Sequence, residues 1–190
     1  MRHHIKEAVS IKFAFSERKA VQALAYIASV NPGLTPLYVS KVMFFAEKWH
    51  LNRYGRPIVA DTYIAMPRGP VPSTIKDYID EKWNWVDKPE DMDAVIVFDR
   101  SRHLVRLMSG AHKPNLSVLS ETDIECLTEA VDFCREKSPE ELSHVTHLDK
   151  AWRDAPLNGP MRYEDFIDDD LPNRAEILEL TVENAACGVL

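Results

Sequence analysis

Apolar and polar positions change their period several times along the chain, and each change marks an element. From Ser16 onward, Ala20, Val21, Ala23, Leu24, Ile27, Ala28 and Val30 recur at helical spacing, with Ser16 as N-cap and Asn31-Pro32-Gly33 as the stop. Thr35 caps a second helix that carries Pro36 at its first position. Its wide apolar face is Tyr38, Val42, Phe45 and Trp49, flanked by Val39, Met43 and Ala46, and it ends near Arg53. Tyr54-Gly55-Arg56-Pro57 then reads as a turn. In the segment 58–66, Thr62 and Ile64 alternate with Tyr63 and Ala65, as in an extended strand. Gly69-Pro70-Val71-Pro72 follows, held extended because each proline disfavours the helical region in the residue before it. Pro72 or Ser73 starts a third helix through Ile75, Tyr78 and Ile79 to Trp83.

Segments 94–98 and 104–108, separated by Asp99 to His103, read as a hairpin that joins the 58–66 segment in one sheet. Ser120 with Asp123, and Ser138-Pro139-Glu140-Glu141, are capping boxes that start helices over 121–136 and 139–147. Ala175, Ile177, Leu178, Leu180 and Val182 mark a last helix within 173–186. The first fifteen residues lack a clean period and read as a strand or a loose arm. The expectation is an α+β fold, mainly α-helical, with a small antiparallel β-sheet of about three strands, in a single domain over 1–190 without internal repeats.

Composition narrows the class. At 190 residues, 45% hydrophobic and 28% charged, the chain can bury a core without a disulfide or a metal. Its apolar runs stop far short of the ~20 residues a membrane helix needs, and Met1 to Glu7 lead into no signal-peptide pattern, so neither membrane contact nor a leader is expected. Cys126, Cys134 and Cys187 form an odd set without metal-ligand spacing, as suits reduced thiols in the cytoplasm. Net charge is −7, which argues against direct nucleic-acid binding, but its sign is unevenly spread. Residues 1–60 carry nine Lys and Arg against three acids, and the rest fourteen against twenty-seven. Glu164, Asp165, Asp168, Asp169 and Asp170 are the densest acidic stretch, whose repulsion predicts an exposed, mobile segment able to meet a basic partner.

Candidate chemistry is sparse. The chain has no phosphate loop, dinucleotide fingerprint, nucleophile elbow or zinc-protease helix, so no catalytic residue and no cofactor are assigned. Cys126 and Cys134 lie eight residues apart on one helix, roughly 12 Å along its axis, too far for a disulfide, and read as buried thiols. His144 and His147, at i and i+3, can share a metal only if Asp149 or His50 comes close; the competing reading is ordinary histidine hydrogen bonding. His3 and His4 fall in the terminal arm. Asp61 with His50, and Glu47 with His50, can be drawn as acid/base pairs, against a plain helix-neighbour role for the latter. Trp49, Trp83, Trp85 and Trp152 are candidate interface anchors. Core packing competes for Trp49 and Trp152, whereas Trp83 and Trp85 at a helix end are harder to bury.

An ordered set of short motifs adds to this. Lys41-Val42-Met43-Phe44-Phe45-Ala46-Glu47-Lys48-Trp49-His50-Leu51, Tyr54-Gly55-Arg56-Pro57-Ile58, Asp61-Thr62-Tyr63-Ile64-Ala65-Met66 and Gly69-Pro70-Val71-Pro72-Ser73 precede Leu142-Ser143-His144, His147 and Ala151-Trp152. Over about residues 20–155 the combination resembles the Panacea domain family, formerly a domain of unknown function, which includes SocA-like and phage-associated GepA-like antitoxins. The resemblance implies the antitoxin of a bacterial or prophage toxin-antitoxin pair. Such a protein neutralises a toxin encoded nearby by direct contact, and in the SocA branch acts as a proteolytic adaptor that delivers the toxin to ClpXP. It brings no catalytic residues. At the matching positions Gly69 and Pro70 fix a loop, Asp61 caps a turn or pairs with a base, and Trp152 packs the C-terminal helices against the helix bearing His50. Residues 156–190 form an extension in which specificity can reside, with Asp168, Asp169 and Asp170 steering a basic toxin. Three other readings stay open: an enzyme with a histidine or metal site, a DNA-binding regulator, for which only the basic first third speaks, and a phage structural or host-interaction protein.

Overall fold

A computed structural model describes residues 11–101 and 106–190. The terminal arm with His3 and His4, and the first part of the expected 104–108 strand, lie outside the described residues. The element order is α1 (Glu17–Val30), α2 (Pro36–Tyr54), β1 (Tyr63–Met66), β2 (Gly69–Pro72), α3 (Ser73–Ile79), α4 (Met92–Val95), β3 (Ile96–Asp99), β4 (Arg106–Ser109), α5 (Glu121–Arg135), α6 (Pro139–Leu148), α7 (Lys150–Arg153), α8 (Tyr163–Phe166) and α9 (Arg174–Cys187). The fold is α+β and mainly helical, as the pattern predicts.

The helix starts follow local chemistry. Ser16 accepts the Lys19 amide, and Ser120/Asp123 and Ser138/Glu141 form complete reciprocal capping boxes. Thr35 occupies the N-cap of α2 without a side-chain hydrogen bond, leaving Pro36 to define that end. At the other end Gly55 adopts φ 63°, and a Cβ there would lie 2.7 Å from Leu180 Cγ, so the glycine both turns the chain and admits α9.

α2 is the axis of the molecule. Thirteen of its residues are buried, because its apolar side chains surround the helix on all sides. Phe45 and Trp49 meet Phe133 of α5 edge-on at 4.8 and 5.5 Å, and Phe44 meets Tyr63 and Phe166.

The strands differ from the expected single sheet. β1 pairs with β2 in one antiparallel hairpin (Tyr63 opposite Pro72, Met66 opposite Gly69), and β3 pairs with β4 in a separate one. The 58–62 stretch joins neither, because the amides of Ile58, Val59 and Ala60 all donate to the Glu47 carboxylate. β4 instead bridges the α1–α2 connection through Leu34 and Leu107. The third helix also stops at Ile79, short of the expected Trp83: Glu81 takes φ 55°, and Trp83 folds back toward Tyr78 with ring centroids 6.0 Å apart. Among the described residues, no helix is long and apolar enough to cross a membrane.

Candidate functional site

Burying most of α2 forces Lys41, Glu47, Lys48, His50 and Asn52 into the interior, where they take up several other stretches of chain. Glu47, fully buried, holds the 58–60 segment. Burial pushes its carboxyl up to about 7, against the pull of those three amides. Lys48 reaches the C-terminal region, donating to Asp149 at 2.9 Å, to Asp168 at 2.5 Å and to the Phe166 carbonyl at 3.2 Å. Asn52 completes that dock by donating to the Phe166 carbonyl and accepting the Asp168 amide. His50 Nδ1 donates to the Arg56 carbonyl, and Nε2 faces Thr122 at 3.0 Å and Asp123 at 3.2 Å. Asp123 also accepts from Lys19, Arg56 and the Ser120 amide; burial pushes its carboxyl up, but the bonds from His50 and Lys19 hold it well below the usual carboxylate range.

Lys41 is the fourth buried ionisable side chain of α2, and it meets only carbonyls. Its ammonium donates to Arg68 O at 2.7 Å and more weakly to Pro70 O at 3.5 Å. Burial lowers its pKa to about 7, and Arg68 adds to the effect. The β1–β2 turn that supplies those carbonyls is clamped from the other side as well. Ser143 donates to Arg68 O, Trp152 Nε1 donates to Met66 O at 3.0 Å, and the His147 ring stacks on Trp152 at 3.9 Å. Gly69 sits at φ 102° against Lys41 Nζ and Thr146 Oγ1, where any side chain would overlap both.

Beside the turn, between the start of α2 and α3, lies a cavity of about 380 Å³. Leu37, Met66, Pro67, Val71 and Ile79 make it apolar, and the charged residues on its wall are all cations, Lys41, Arg68 and Lys76.

The expected site residues are thereby dispersed. Asp61 does not pair with His50; its carboxylate accepts the Thr74 and Ile75 amides and caps α3 from outside the helix. Glu47 and His50 are likewise no exposed helix pair, since both are buried and bind separate partners. His144 is exposed and His147 is taken up by Trp152. Neither converges with Asp149, which binds Lys48, or with His50, and among the described residues no group of three or more His, Cys, Asp or Glu gathers as a metal would require. Trp152 stacks on His147, and its indole N–H donates to the Met66 carbonyl of the hairpin. Tyr63 is buried against Phe44 and Phe166, Pro70 is buried in β2, and Val71 lines the cavity. Trp49 is half-buried in the Phe45–Phe133 cluster. Trp83 is half-buried beneath Lys88, and Trp85 is 82% exposed. The acidic stretch is ordered, not a free mobile segment: Phe166 and Ile167 are buried, Asp168 binds Lys48, and Asp169 binds Lys150 and Arg174.

Sequence reasoning passed over Lys41, Lys48, Arg68 and the role of Asp123. The signal for the first two was present: apolar residues on all faces of α2 leave its lysines no solvent side. Nothing local announces Arg68 or the contacts of Asp123 with Lys19, His50 and Arg56. Residues 39–153, which span the clamped hairpin and all four buried ionisable side chains of α2, match the family model described as antitoxin SocA-like, Panacea domain. No curated protein and no solved structure matches the chain.

Proposed function

The chain belongs to the SocA-like Panacea family of antitoxins, and on that premise we propose that it neutralises a cognate toxin, encoded nearby in a bacterial or prophage genome, by direct protein–protein binding. The family match over residues 39–153 is the observation that carries this reading. A binding role also suits the side-chain chemistry, because the buried ionisable groups of α2 are engaged in holding other segments in place. Exposed apolar side chains, Trp85 first, then Leu148 and Leu157, offer anchors for a partner surface.

Co-expression with the neighbouring open reading frame tests the proposal. Growth should be rescued and the two products should co-purify as a stable complex, with Trp85→Ala weakening the complex by about ten-fold or more if that side chain is an anchor. A harmless neighbour with no complex would sink the antitoxin reading. Rescue that disappears in cells lacking ClpXP, while the complex still forms, would mark this chain as an adaptor that delivers the toxin for proteolysis.

A further inference from the structure

The cavity between α2, the β1–β2 hairpin and α3 has a chemistry opposite in sign to the rest of the molecule. The chain carries a net charge of −7, yet the cavity wall holds three cations and no acid. Of these, Lys76 is paired with Asp80. Lys41 and Arg68 have no ion-pair partner among the described residues: Lys41 meets carbonyl oxygens, and the Arg68 side chain stands exposed at the turn. A buried ammonium without a counter-anion is costly and is relieved by any carboxylate brought near it. Apart from Ser40, the remaining wall is apolar, with Leu37, Met66 and Val71 half-buried and Ile79 buried. At about 380 Å³ the cavity is within the range of natural ligand pockets.

We propose that this cavity receives a segment of the toxin in which an apolar side chain stands next to an aspartate or glutamate, the apolar group filling the cavity and the carboxylate meeting Arg68 beside Lys41. The proposal rests on the antitoxin reading, which supplies a protein as the partner. Charge complementarity supplies the sign of the docked segment, and the apolar wall supplies its neighbour. The turn is well suited to such a contact, because its backbone is fixed from within by Lys41, Ser143 and Trp152 before any partner arrives.

Binding of the co-purified toxin to variants of the full chain provides the test. Arg68→Gln, at an exposed position, should raise Kd at least about ten-fold. Val71→Asp, which places a like charge in the cavity, should do the same, while Arg162→Gln, outside the cavity, leaves Kd unchanged. Circular dichroism and the thermal midpoint report whether each variant is folded. A photoreactive benzophenone side chain in place of Lys76 should crosslink to a toxin peptide containing an apolar residue beside Asp or Glu. Unchanged affinity in folded Arg68→Gln and Val71→Asp, or crosslinks only to peptides without such a pair, would overturn the proposal while leaving the antitoxin reading intact. Stoichiometric binding of decanoate that depends on Arg68, with the toxin crosslinked elsewhere, would assign the cavity to an anionic amphiphile and overturn it too. If the wild-type chain neither rescues growth nor binds its neighbour's product, the antitoxin reading fails first and this proposal with it.

Discussion

An ammonium removed from water prefers to lose its proton unless an anion accompanies it, and Lys41 has only carbonyl oxygens. Its pKa falls from 10.5 in a free chain to about 7 in the fold. Between those values the unfolded chain holds a proton that the folded one has released, so stability rises with pH across that window, and the penalty is complete below about 7. Other groups bound the useful range. Glu47, raised from 4.5 to about 7, makes stability fall with pH below neutrality. The buried thiols Cys126 and Cys134, raised from 9.0 to about 11 and about 12, make it fall again above pH 9. The Lys41 effect is therefore read between pH 7 and 9. Urea denaturation across that interval should show stability increasing in the wild type and flat in Lys41→Met. At pH 7 the variant should match or exceed the wild type, by up to about 4 kcal/mol, since a buried cation is replaced by an apolar group of similar length. A slope that persists in the variant would assign the titration to another group.

The β1–β2 hairpin is the element on which this geometry depends, and Gly69 is its constraint. At φ 102° an alanine is strained, and its Cβ would overlap Lys41 Nζ and Thr146 Oγ1. Gly69→Ala should cost about 1–3 kcal/mol or more. A double-mutant cycle with Lys41→Ala separates the two causes: removing the lysine relieves part of the overlap but none of the backbone strain, so the double variant should lose less than the sum of the singles. Strict additivity, measured by thermal midpoints and denaturant titration, would mean that the lysine overlap carries none of the cost, which then lies with the backbone and Thr146. The same hairpin indicates how far a sequence can be read at this scale. Helix starts were legible because their chemistry spans three residues, as at Ser120/Asp123 and Ser138/Glu141. The extended form of Gly69 to Pro72 was legible from its prolines, but its partner was not, because 58–62 had equal claim to pair until Glu47 took up its amides. Among the candidate site residues, Gly69, Pro70, His147 and Trp152 were legible only as an ordered motif. What joins them, the clamp on one turn, rests on contacts such as Trp152 to Met66, 86 residues apart, which no local pattern encodes.

Across the whole molecule, the uneven charge predicts that acidic residues draw a basic toxin toward the C-terminal half, but the fold divides Asp168, Asp169 and Asp170 into different roles. Asp168 is bound to Lys48 and Asp169 to Lys150 and Arg174, whereas Asp170 has no ion pair among the described residues. A triple change to asparagine would therefore mix loss of steering with loss of structure, and single changes separate them. Asp168→Asn should cost about 1 kcal/mol of stability, because Lys48 keeps Asp149 but loses its shorter partner. Asp170→Asn should leave stability unchanged and slow association with the toxin. One unit charge about 10 Å away in water is worth about 0.4 kcal/mol, or roughly a factor of two in rate. That factor should vanish at high salt, where screening shortens the reach of every surface charge, and the dissociation rate should not move because the contact surface is the same. Stopped-flow association at low and high ionic strength distinguishes the cases. A two-fold effect confined to low salt places the acidic end in the path of the approaching toxin, and equal rates at both salts remove it from recognition and leave it a purely structural role through Lys48 and Lys150.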